Sequence, residues 1–248
     1  MVFLEKKDGI GYIILDRGER HNALNAAGYK ELRDTIREVS EDKEILVSVL
    51  MARGKSFCAG SDINEFIRDD IIKLRAHFEV VSDVFKGISE CKKLILAAIH
   101  GYALGGGCAL AAACDFAIAS EDAVFALPEV DINVFPMTIM PPIVRAVHYR
   151  QALELLFLGE HVKAQRALEM GLVNKVVSTN ELLDTVEEMA RKLCRISPFA
   201  LETGKKAMQI SQSMEYFTSI DYLSNMMAMV TIHKEAQEKF REFLSKKK

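Results

Sequence analysis

Apolar and polar positions near the start of the chain predict a β-hairpin followed by an amphipathic helix. Residues 2–6 and 10–15 are apolar-rich and flank Asp8-Gly9, a dipeptide that favours a two-residue hairpin turn. Asn25 can then cap a helix, because its side chain can accept a hydrogen bond from a free N–H group of the first turn. Spacings of three and four place four apolar residues on one face of this helix: Tyr29, Leu32, Ile36 and Val39.

Short apolar runs recur after this helix and predict buried strands. The runs are residues 45–51, 94–99 and 116–119, with a shorter one at 124–126. Segments between them can form helices, and strands that alternate with helices favour right-handed crossovers and parallel pairing. The sequence therefore predicts an α/β fold. From about Pro141 onward it predicts an almost wholly helical structure.

The helical end has an apolar surface of its own. Its last stretch carries methionine, leucine and phenylalanine at helical spacings: Leu223, Met226, Met227, Val230, Phe240, Phe243 and Leu244. A methionine-rich face of this kind is more typical of a core or a subunit interface than of a ligand site. We expect residues 1–190 to form the core and residues 191–248 a helical region, with the lysines at 246–248 as a solvated tail.

Composition narrows the functional classes. The 248 residues carry a formal net charge of −3. The chain therefore lacks the excess of basic residues that nucleic-acid-binding proteins need. The five cysteines are odd in number and show no CxxC spacing, as expected for reduced thiols. No stretch has the pattern of a secretion signal, and no uncharged apolar run reaches about 18 residues. These observations predict a cytoplasmic protein that binds neither nucleic acid nor membrane.

Two glycine segments are the candidates for chemistry. Residues 56–63 follow the run at 45–51, and residues 100–108 follow the run at 94–99. The first N–H groups of a helix have no internal partner, so a helix that starts in such a segment can bind an anion or a developing oxyanion. Neither segment has P-loop or dinucleotide-binding spacing. Tight packing of a strand on a helix is an equal explanation for Gly105-Gly106-Gly107 taken alone.

Together these and further segments resemble the crotonase, or enoyl-CoA hydratase/isomerase, superfamily. The matching segments, in chain order, are residues 20–25 (similar to RPxxxNALN), 56–66 (FxAGxDIxE), 97–115 (AAxxGxAxGGGxxLAxxCD), 125–136 (FxxPExxxGxxP), 160–177 (GxxxxAxxAxxxGLVxxV), 197–205 (SPxAxxxxK) and 242–247 (AFLEKR). They cover almost the whole chain. Several motifs in the same order are far more specific than any one of them.

The resemblance implies a crotonase-like spiral of ββα units with a C-terminal helical region that mediates assembly into a homotrimer or a dimer of trimers. It also implies an acyl-CoA substrate and neither metal nor redox cofactor, since coenzyme A enters as part of the thioester. Matched by position, the backbone N–H groups of Ser61 and Gly106 form the oxyanion site. The substrate-binding positions that the resemblance implies are Ala23, Ala59, Asp62, Ile63 and Gly105.

Glu129 is the proton-transfer carboxylate that the resemblance implies. The family's hydratases carry another glutamate, and the matching position here is Ala109. Apolar neighbours should raise the pKa of Glu129 and make it a better base near neutrality. A single carboxylate favours isomerisation of 3-enoyl-CoA to 2-enoyl-CoA, with hydration of 2-enoyl-CoA as the alternative. A non-catalytic binding or scaffold protein is an alternative of another class, and the retention of Glu129 with both glycine segments argues against it.

Four positions depart from the family pattern or remain open. Asn133 replaces a glycine, and because asparagine tolerates positive φ we expect the turn to survive. Met137 stands where dienoyl-CoA isomerases and dehalogenases have a second carboxylate, which argues against both activities. His100 is either structural or a support for the glycine segment. Asp131 is either a substitute acid or a solvated carboxylate.

Overall fold

The computed structural model describes residues 1–67 and 70–245, and its contacts divide the chain into two compact units. The first unit is Met1–Cys194, and the second starts at Arg195. The boundary expected near residues 190 and 191 lies inside the helix Leu182–Leu193, whose apolar face packs on the sheet of the first unit. The lysines at 246–248 lie outside the described residues.

The strands are β1 Val2–Lys7, β2 Ile10–Leu15, β3 Val47–Ala52, β4 Leu94–Ile99, β5 Tyr102–Leu104, β6 Phe116–Ser120, β7 Val124–Ala126, β8 Val162–Lys163 and β9 Lys175–Val177. The α-helices are α1 Ala26–Glu41, α2 Ile71–Glu90, α3 Gly106–Ala113, α4 Met140–Ala146, α5 Tyr149–Leu153, α6 Ala164–Met170, α7 Leu182–Leu193, α8 Pro198–Ser213, α9 Tyr216–Ile232 and α10 Lys234–Ser245. Short 3₁₀ turns cover Gly18–Arg20, Ile63–Glu65, Pro128–Ile132 and Thr179–Glu181, and a π-helical turn covers Glu154–Leu158.

The predicted hairpin and first helix are confirmed. Strands β1 and β2 pair in antiparallel register, and Asp8 and Gly9 both have positive φ, at 53° and 79°. Positive φ at both central residues suits a two-residue hairpin turn. Asn25 caps α1, and its Oδ1 accepts a hydrogen bond from the Gly28 N–H at 2.9 Å. The predicted apolar face of α1 is buried throughout: Tyr29, Leu32, Ile36 and Val39.

One large sheet forms the centre of the first unit. Its strand order is β1-β2-β3-β4-β6-β9, and every neighbouring pair from β2 onward is parallel. Helix α7 packs on β3, β4 and β6, while α1 packs along α2 and against β1 and β2. The α/β class predicted from alternating apolar runs is therefore confirmed. The parallel arrangement also brings the carboxyl ends of β3 and β4 to the same edge of the sheet, where the two glycine segments begin.

A small second sheet corrects the prediction for the later part of the chain. Strand β5 pairs with β7, and β7 pairs with β8. Strand β9 adds to β6 at the edge of the large sheet. The expectation of an almost wholly helical structure after Pro141 is therefore wrong at β8 and β9. Strands β8 and β9 contain only one and two apolar residues, fewer than the run at 124–126 that predicted β7, and they are defined by partners far away in the sequence.

The second unit consists of helices α8 to α10 within its described residues. Pro198 occupies the first position of α8, and the Ser197 side chain caps it by accepting from the Ala200 N–H at 3.2 Å. Large apolar side chains stay exposed on this unit, including Phe217, Met227, Met229, Ile232, Phe243 and Leu244. They fit the predicted subunit interface, which stays a prediction. In the described part of the chain, no helix combines the length and apolar character needed to cross a membrane.

Candidate active site

The two glycine segments meet through a short ladder of backbone hydrogen bonds. Cys58 forms a parallel bridge with Ala103. The Cys58 N–H donates to the Tyr102 carbonyl at 3.0 Å, and the Leu104 N–H donates to the Cys58 carbonyl at 2.9 Å. A Cβ atom on Gly107 would lie 2.0 Å from the Cys58 carbonyl oxygen. Glycine at position 107 therefore allows α3 to start directly against the first segment.

The loop before α1 pairs with the other side of the first glycine segment. Leu24 bridges to Ser61: the Leu24 N–H donates to the Gly60 carbonyl at 2.8 Å, and the Asp62 N–H donates to the Leu24 carbonyl at 2.9 Å. Successive N–H groups of an extended segment point to opposite sides. The Ser61 N–H therefore points away from Leu24.

The backbone nitrogens of Ser61 and Gly106 lie close together. Gly106 is the first residue of α3, where the N–H has no partner within the helix. A Cβ atom on Gly106 would lie 3.8 Å from the Ser61 nitrogen, and a Cβ on Gly60 would lie 3.0 Å from the Gly106 nitrogen. Two donors from distant parts of the sequence are thus adjacent, as binding of a developing oxyanion requires.

A short 3₁₀ turn carries Glu129 to this pair of donors. Asn133 closes the turn in the left-handed region, with φ at 58°, which confirms that asparagine replaces the family's glycine without loss of the turn. The Val134 N–H donates to the Glu129 carbonyl at 3.0 Å. A Cβ atom on Gly105 would lie 2.6 Å from Oε1 of Glu129. The carboxylate therefore lies against the backbone just before Gly106.

The Glu129 carboxylate is held in an electrostatically costly position. Its Oε2 atom is buried and has no hydrogen-bond partner within the described residues. Burial raises the pKa of Glu129 above its ordinary value, and a hydrogen bond with its own backbone opposes that rise in part. A carboxylate with a raised pKa and a free oxygen is suited to accept a proton near neutral pH.

Asp62 and Ala23, predicted as substrate-binding positions, are joined by Arg17. The Arg17 Nη1 atom donates to the Ala23 carbonyl at 3.0 Å and to Oδ2 of Asp62 at 3.2 Å. Asp62 also caps the turn Ile63–Glu65, and hydrogen bonds from Asn64 and Arg17 lower the pKa of its carboxyl, with the Asn64 side chain as the largest cause. Asp62 takes part in the bridge between Leu24 and Ser61, and Ala23 directly precedes Leu24. A role of these two positions in binding nucleotide stays a prediction.

The remaining predicted positions lie at the same loops. Ala59 is partly buried and donates its N–H to the backbone carbonyl of His21 at 2.9 Å, whereas Ile63 is 59% exposed. His100 Nε2 lies 3.0 Å from the Gly54 carbonyl oxygen. Its side chain therefore links the start of the second glycine segment to the loop that precedes the first. Asp131 is exposed, which favours the solvated alternative.

The position of the hydratases' other glutamate is closed to solvent. Ala109 is fully buried, and its N–H donates to the Gly105 carbonyl at 3.1 Å in the first turn of α3. Cys58, which is also buried here, is no candidate nucleophile, because burial raises the pKa of its thiol to about 12. Glu129 is therefore the residue of this cluster best suited to proton transfer.

The model for the enoyl-CoA hydratase/isomerase family matches residues 5–248 of the chain. The chain belongs to this family. It is 33% identical over 249 residues to the short-chain-enoyl-CoA hydratase of Clostridium acetobutylicum, with 100% of this chain and 95% of that relative covered. The enzyme class predicted from the motifs is therefore confirmed.

Solved structures of family members confirm the predicted crotonase-like fold. An enoyl-CoA hydratase of Mycobacterium smegmatis superimposes with a TM-score of 0.95 at 30% identity, covering 99% of this chain and 96% of that one. Human enoyl coenzyme A hydratase domain-containing protein 3 gives a TM-score of 0.95 at 31% identity, covering 99% and 97%. All three relatives bear hydratase names, which favours the hydratase alternative over the isomerisation expected from Ala109.

One residue of the candidate site could not be assigned to it from the sequence. Tyr29 lies on the predicted buried face of α1, and its hydroxyl is also 2.8 Å from Oγ of Ser61. The signal was present in the sequence, because a tyrosine on a buried helix face carries a hydroxyl that must find a polar partner. Which partner it finds depends on the packing of α1 against the glycine segments.

Proposed function

We propose that this chain hydrates 2-enoyl-CoA thioesters, with Glu129 as the group that moves the proton. One observation carries the proposal: the Glu129 carboxylate lies against Gly105 with a buried, unpartnered oxygen, beside the adjacent N–H groups of Ser61 and Gly106. The hydratase names of the relatives support hydration over isomerisation.

The proposed reaction uses a single carboxylate twice. The thioester oxygen accepts hydrogen bonds from the Ser61 and Gly106 N–H groups, which draws electron density from C3 of the enoyl group. Glu129 takes a proton from water as the oxygen bonds to C3, and the electrons move into the enolate. Protonated Glu129 then gives that proton to C2, which regenerates the carboxylate. Each oxyanion donor contributes about 3–4 kcal/mol to such a step, and no metal or redox cofactor is required.

Isomerisation of 3-enoyl-CoA is the second candidate, and Ala109 favours it. An alanine at that position can neither hold a water molecule by hydrogen bonding nor transfer a proton. In this reaction Glu129 removes a proton from C2 of the 3-enoyl thioester and returns it to C4, so that the double bond moves to the 2-position. The same oxyanion site would hold the dienolate, and water would take no part.

Glu129→Gln tests the proton-transfer role directly. Glutamine keeps the size of the side chain and cannot take a proton, so turnover of enoyl-CoA should fall by about 10²–10⁴-fold. Asp131→Asn is the matched control, because Asp131 is an exposed carboxylate two residues away, and its turnover should stay within about twofold. Full activity in Glu129→Gln would rule out the assignment. Acyl-CoA binding without turnover in the wild type would instead favour the scaffold alternative.

Product analysis on both substrates separates hydration from isomerisation. The wild type is incubated with 2-enoyl-CoA and, separately, with 3-enoyl-CoA, and the products are identified by mass and retention time. We expect the 3-hydroxyacyl-CoA product to form from 2-enoyl-CoA. Ala109→Glu should raise hydration relative to isomerisation, and Ala109→Gln, which adds equal bulk without a charge, should not. Isomerisation with negligible hydration in the wild type would establish the second candidate.

A further inference from the structure

The Tyr29 hydroxyl lies between the two halves of the oxyanion site. The Tyr29 side chain is fully buried, and its hydroxyl is 2.8 Å from Oγ of Ser61. A Cβ atom on Gly106 would lie 2.6 Å from the same hydroxyl oxygen. The phenol therefore contacts both residues whose N–H groups face the thioester oxygen in the proposed function, although neither residue is near Tyr29 in the sequence.

Burial decides which hydroxyl donates. Within the described residues, the hydrogen bonds give the Tyr29 hydroxyl one polar partner, Ser61. If Ser61 donated, the buried phenol proton would have no acceptor, which is costly. If Tyr29 donates, its proton is satisfied, and the proton of the partly buried Ser61 hydroxyl stays free. The favourable arrangement is thus a bond from Tyr29 to Ser61.

We propose that Tyr29 is a positioning residue of the oxyanion site, which fixes Ser61 by donating to its hydroxyl and sets the spacing between the Ser61 and Gly106 N–H groups. The inference rests on the proposed function only in that a thioester oxygen binds to these two groups. Helix α1 carries the phenol to this point, because the Asn25 cap sets the start of the helix and Tyr29 lies one turn later on its buried face. Preorganised donors of this kind stabilise developing charge without reorganisation cost.

The phenol stays a donor over the working pH range. Burial is the main cause that raises the pKa of Tyr29, and the nearby Cys58 and Glu129 raise it further. Its ring also makes an edge-on contact with the His77 ring, at 5.9 Å between centroids, which restricts its movement. The hydroxyl is therefore held in one place and in one protonation state.

A double-variant cycle on Tyr29→Phe and Ser61→Ala tests the coupling. Tyr29→Phe keeps the ring in the core and removes the hydroxyl, so kcat should fall between about threefold and tenfold with KM within about twofold. Ser61→Ala keeps the backbone N–H and leaves the phenol without its hydrogen-bond partner, so it should lower Tm. Adding Tyr29→Phe to this variant removes the unpaired hydroxyl and should restore Tm. If Tyr29 acts through Ser61, the double variant has the kcat of Ser61→Ala. Tyr12→Phe, which removes a hydroxyl that contacts Glu187 on α7, is the matched control.

The infrared frequency of a ¹³C-labelled thioester carbonyl in bound butanoyl-CoA measures the oxyanion site without turnover. Binding to the wild type should lower the carbonyl frequency below that of butanoyl-CoA free in water. In Tyr29→Phe the frequency of the bound thioester should lie closer to that of the free thioester. The same frequency in Tyr29→Phe and wild type, or a loss of Tm with unchanged kcat, would overturn the positioning role. A lowered frequency in a wild type that turns over no enoyl-CoA would reject the proposed function and leave this inference standing. A wild type with no shift would reject both.

Discussion

Glu129 shows at the scale of one residue how stability and reactivity compete. Its Oε2 atom is buried without a partner in the described part of the chain, and burial raises the pKa of the carboxyl. A buried polar group without a hydrogen bond costs about 1–3 kcal/mol, more when it is charged. The same lack of a partner keeps the oxygen free for a proton. The site therefore retains an arrangement that folding alone would disfavour.

The stability of the protein should depend on pH through Glu129. The folded-state pKa of Glu129 lies above the unfolded value of about 4.5. Below about pH 4.5 the carboxyl is neutral in both states, and its burial does not oppose folding. The free energy of unfolding falls as the pH rises through the folded-state pKa, because the buried group then ionises. Glu129→Gln removes the loss. We expect its Tm to exceed that of the wild type near neutrality by roughly 2–4 °C, for about 1 kcal/mol, and the gap to close below about pH 4.

Differential scanning calorimetry across this pH range is the measurement. Asp131→Asn is the matched control, because it makes the corresponding acid-to-amide change at an exposed position two residues away. A Glu129→Gln variant that is less stable than the wild type at every pH would mean that the ionised carboxylate has partners, and that its burial does not cost stability.

At the scale of elements, the start of α3 is fixed by close backbone contact. Gly105 has a positive φ of 52° and lies between the strand β5 and the helix α3, and Gly107 leaves no room for a side chain beside Cys58. Both glycines let a helix begin directly against the first glycine segment. The geometry of the proposed oxyanion site is therefore a property of how the two segments pack and not of either segment alone.

Gly107→Ala should disrupt this packing. The added Cβ would lie 2.0 Å from a backbone carbonyl oxygen, so the segments must separate, at a cost of about 3 kcal/mol or more. Gly204→Ala is the matched control, because Gly204 lies inside α8 with nothing within 4 Å of the added atom. Alanine is preferred over glycine in a helix by about 1 kcal/mol, so the control should gain stability.

Thermal unfolding of the two variants checks this prediction, with circular dichroism as the readout. A Gly107→Ala variant with the Tm of the wild type would show that the first glycine segment can move away without loss, and it would weaken the assignment of a rigid oxyanion site. A Gly204→Ala variant that loses stability would point to a contact of this position in an assembled protein.

At the scale of the whole molecule, the second unit presents apolar side chains that its own helices leave uncovered. Met227 and Phe243 are 61% and 60% exposed, on different helices. Exposed apolar surface of this extent is typical of subunit interfaces. We therefore propose that the chain assembles with copies of itself, as a trimer or a dimer of trimers.

Light scattering tests this assembly. One chain has a mass of 27.8 kDa, and we expect about three or six times that value at micromolar concentration. Met227→Lys should shift the mass towards that of one chain, because it places a charge in the expected interface. Lys206→Gln, at an exposed polar position, should leave the mass unchanged. A wild type that stays monomeric under these conditions would contradict the proposal.

Local pattern alone determined the elements that depend on near neighbours in the sequence. The hairpin at Asp8-Gly9, the cap at Asn25 and the left-handed turn at Asn133 were predictable, because turn and cap preferences act within a few residues. The strands β4 and β6 were predictable from their apolar runs, which reflect burial on both faces of a sheet. The order of the motifs along the chain also indicated Glu129 and the two glycine segments.

Tertiary structure decided what depends on register between distant segments. The approach of Ser61 to Gly106, the contact of Glu129 with Gly105 and the bond from Tyr29 to Ser61 each join residues that no periodic pattern relates. The strands β8 and β9 were missed for the same reason, since each has too few apolar residues to be recognised alone and is defined by hydrogen bonds to a strand far away in the sequence. The sequence carried the chemical groups, and the packing of parallel strands and helix starts placed them within reach of one another.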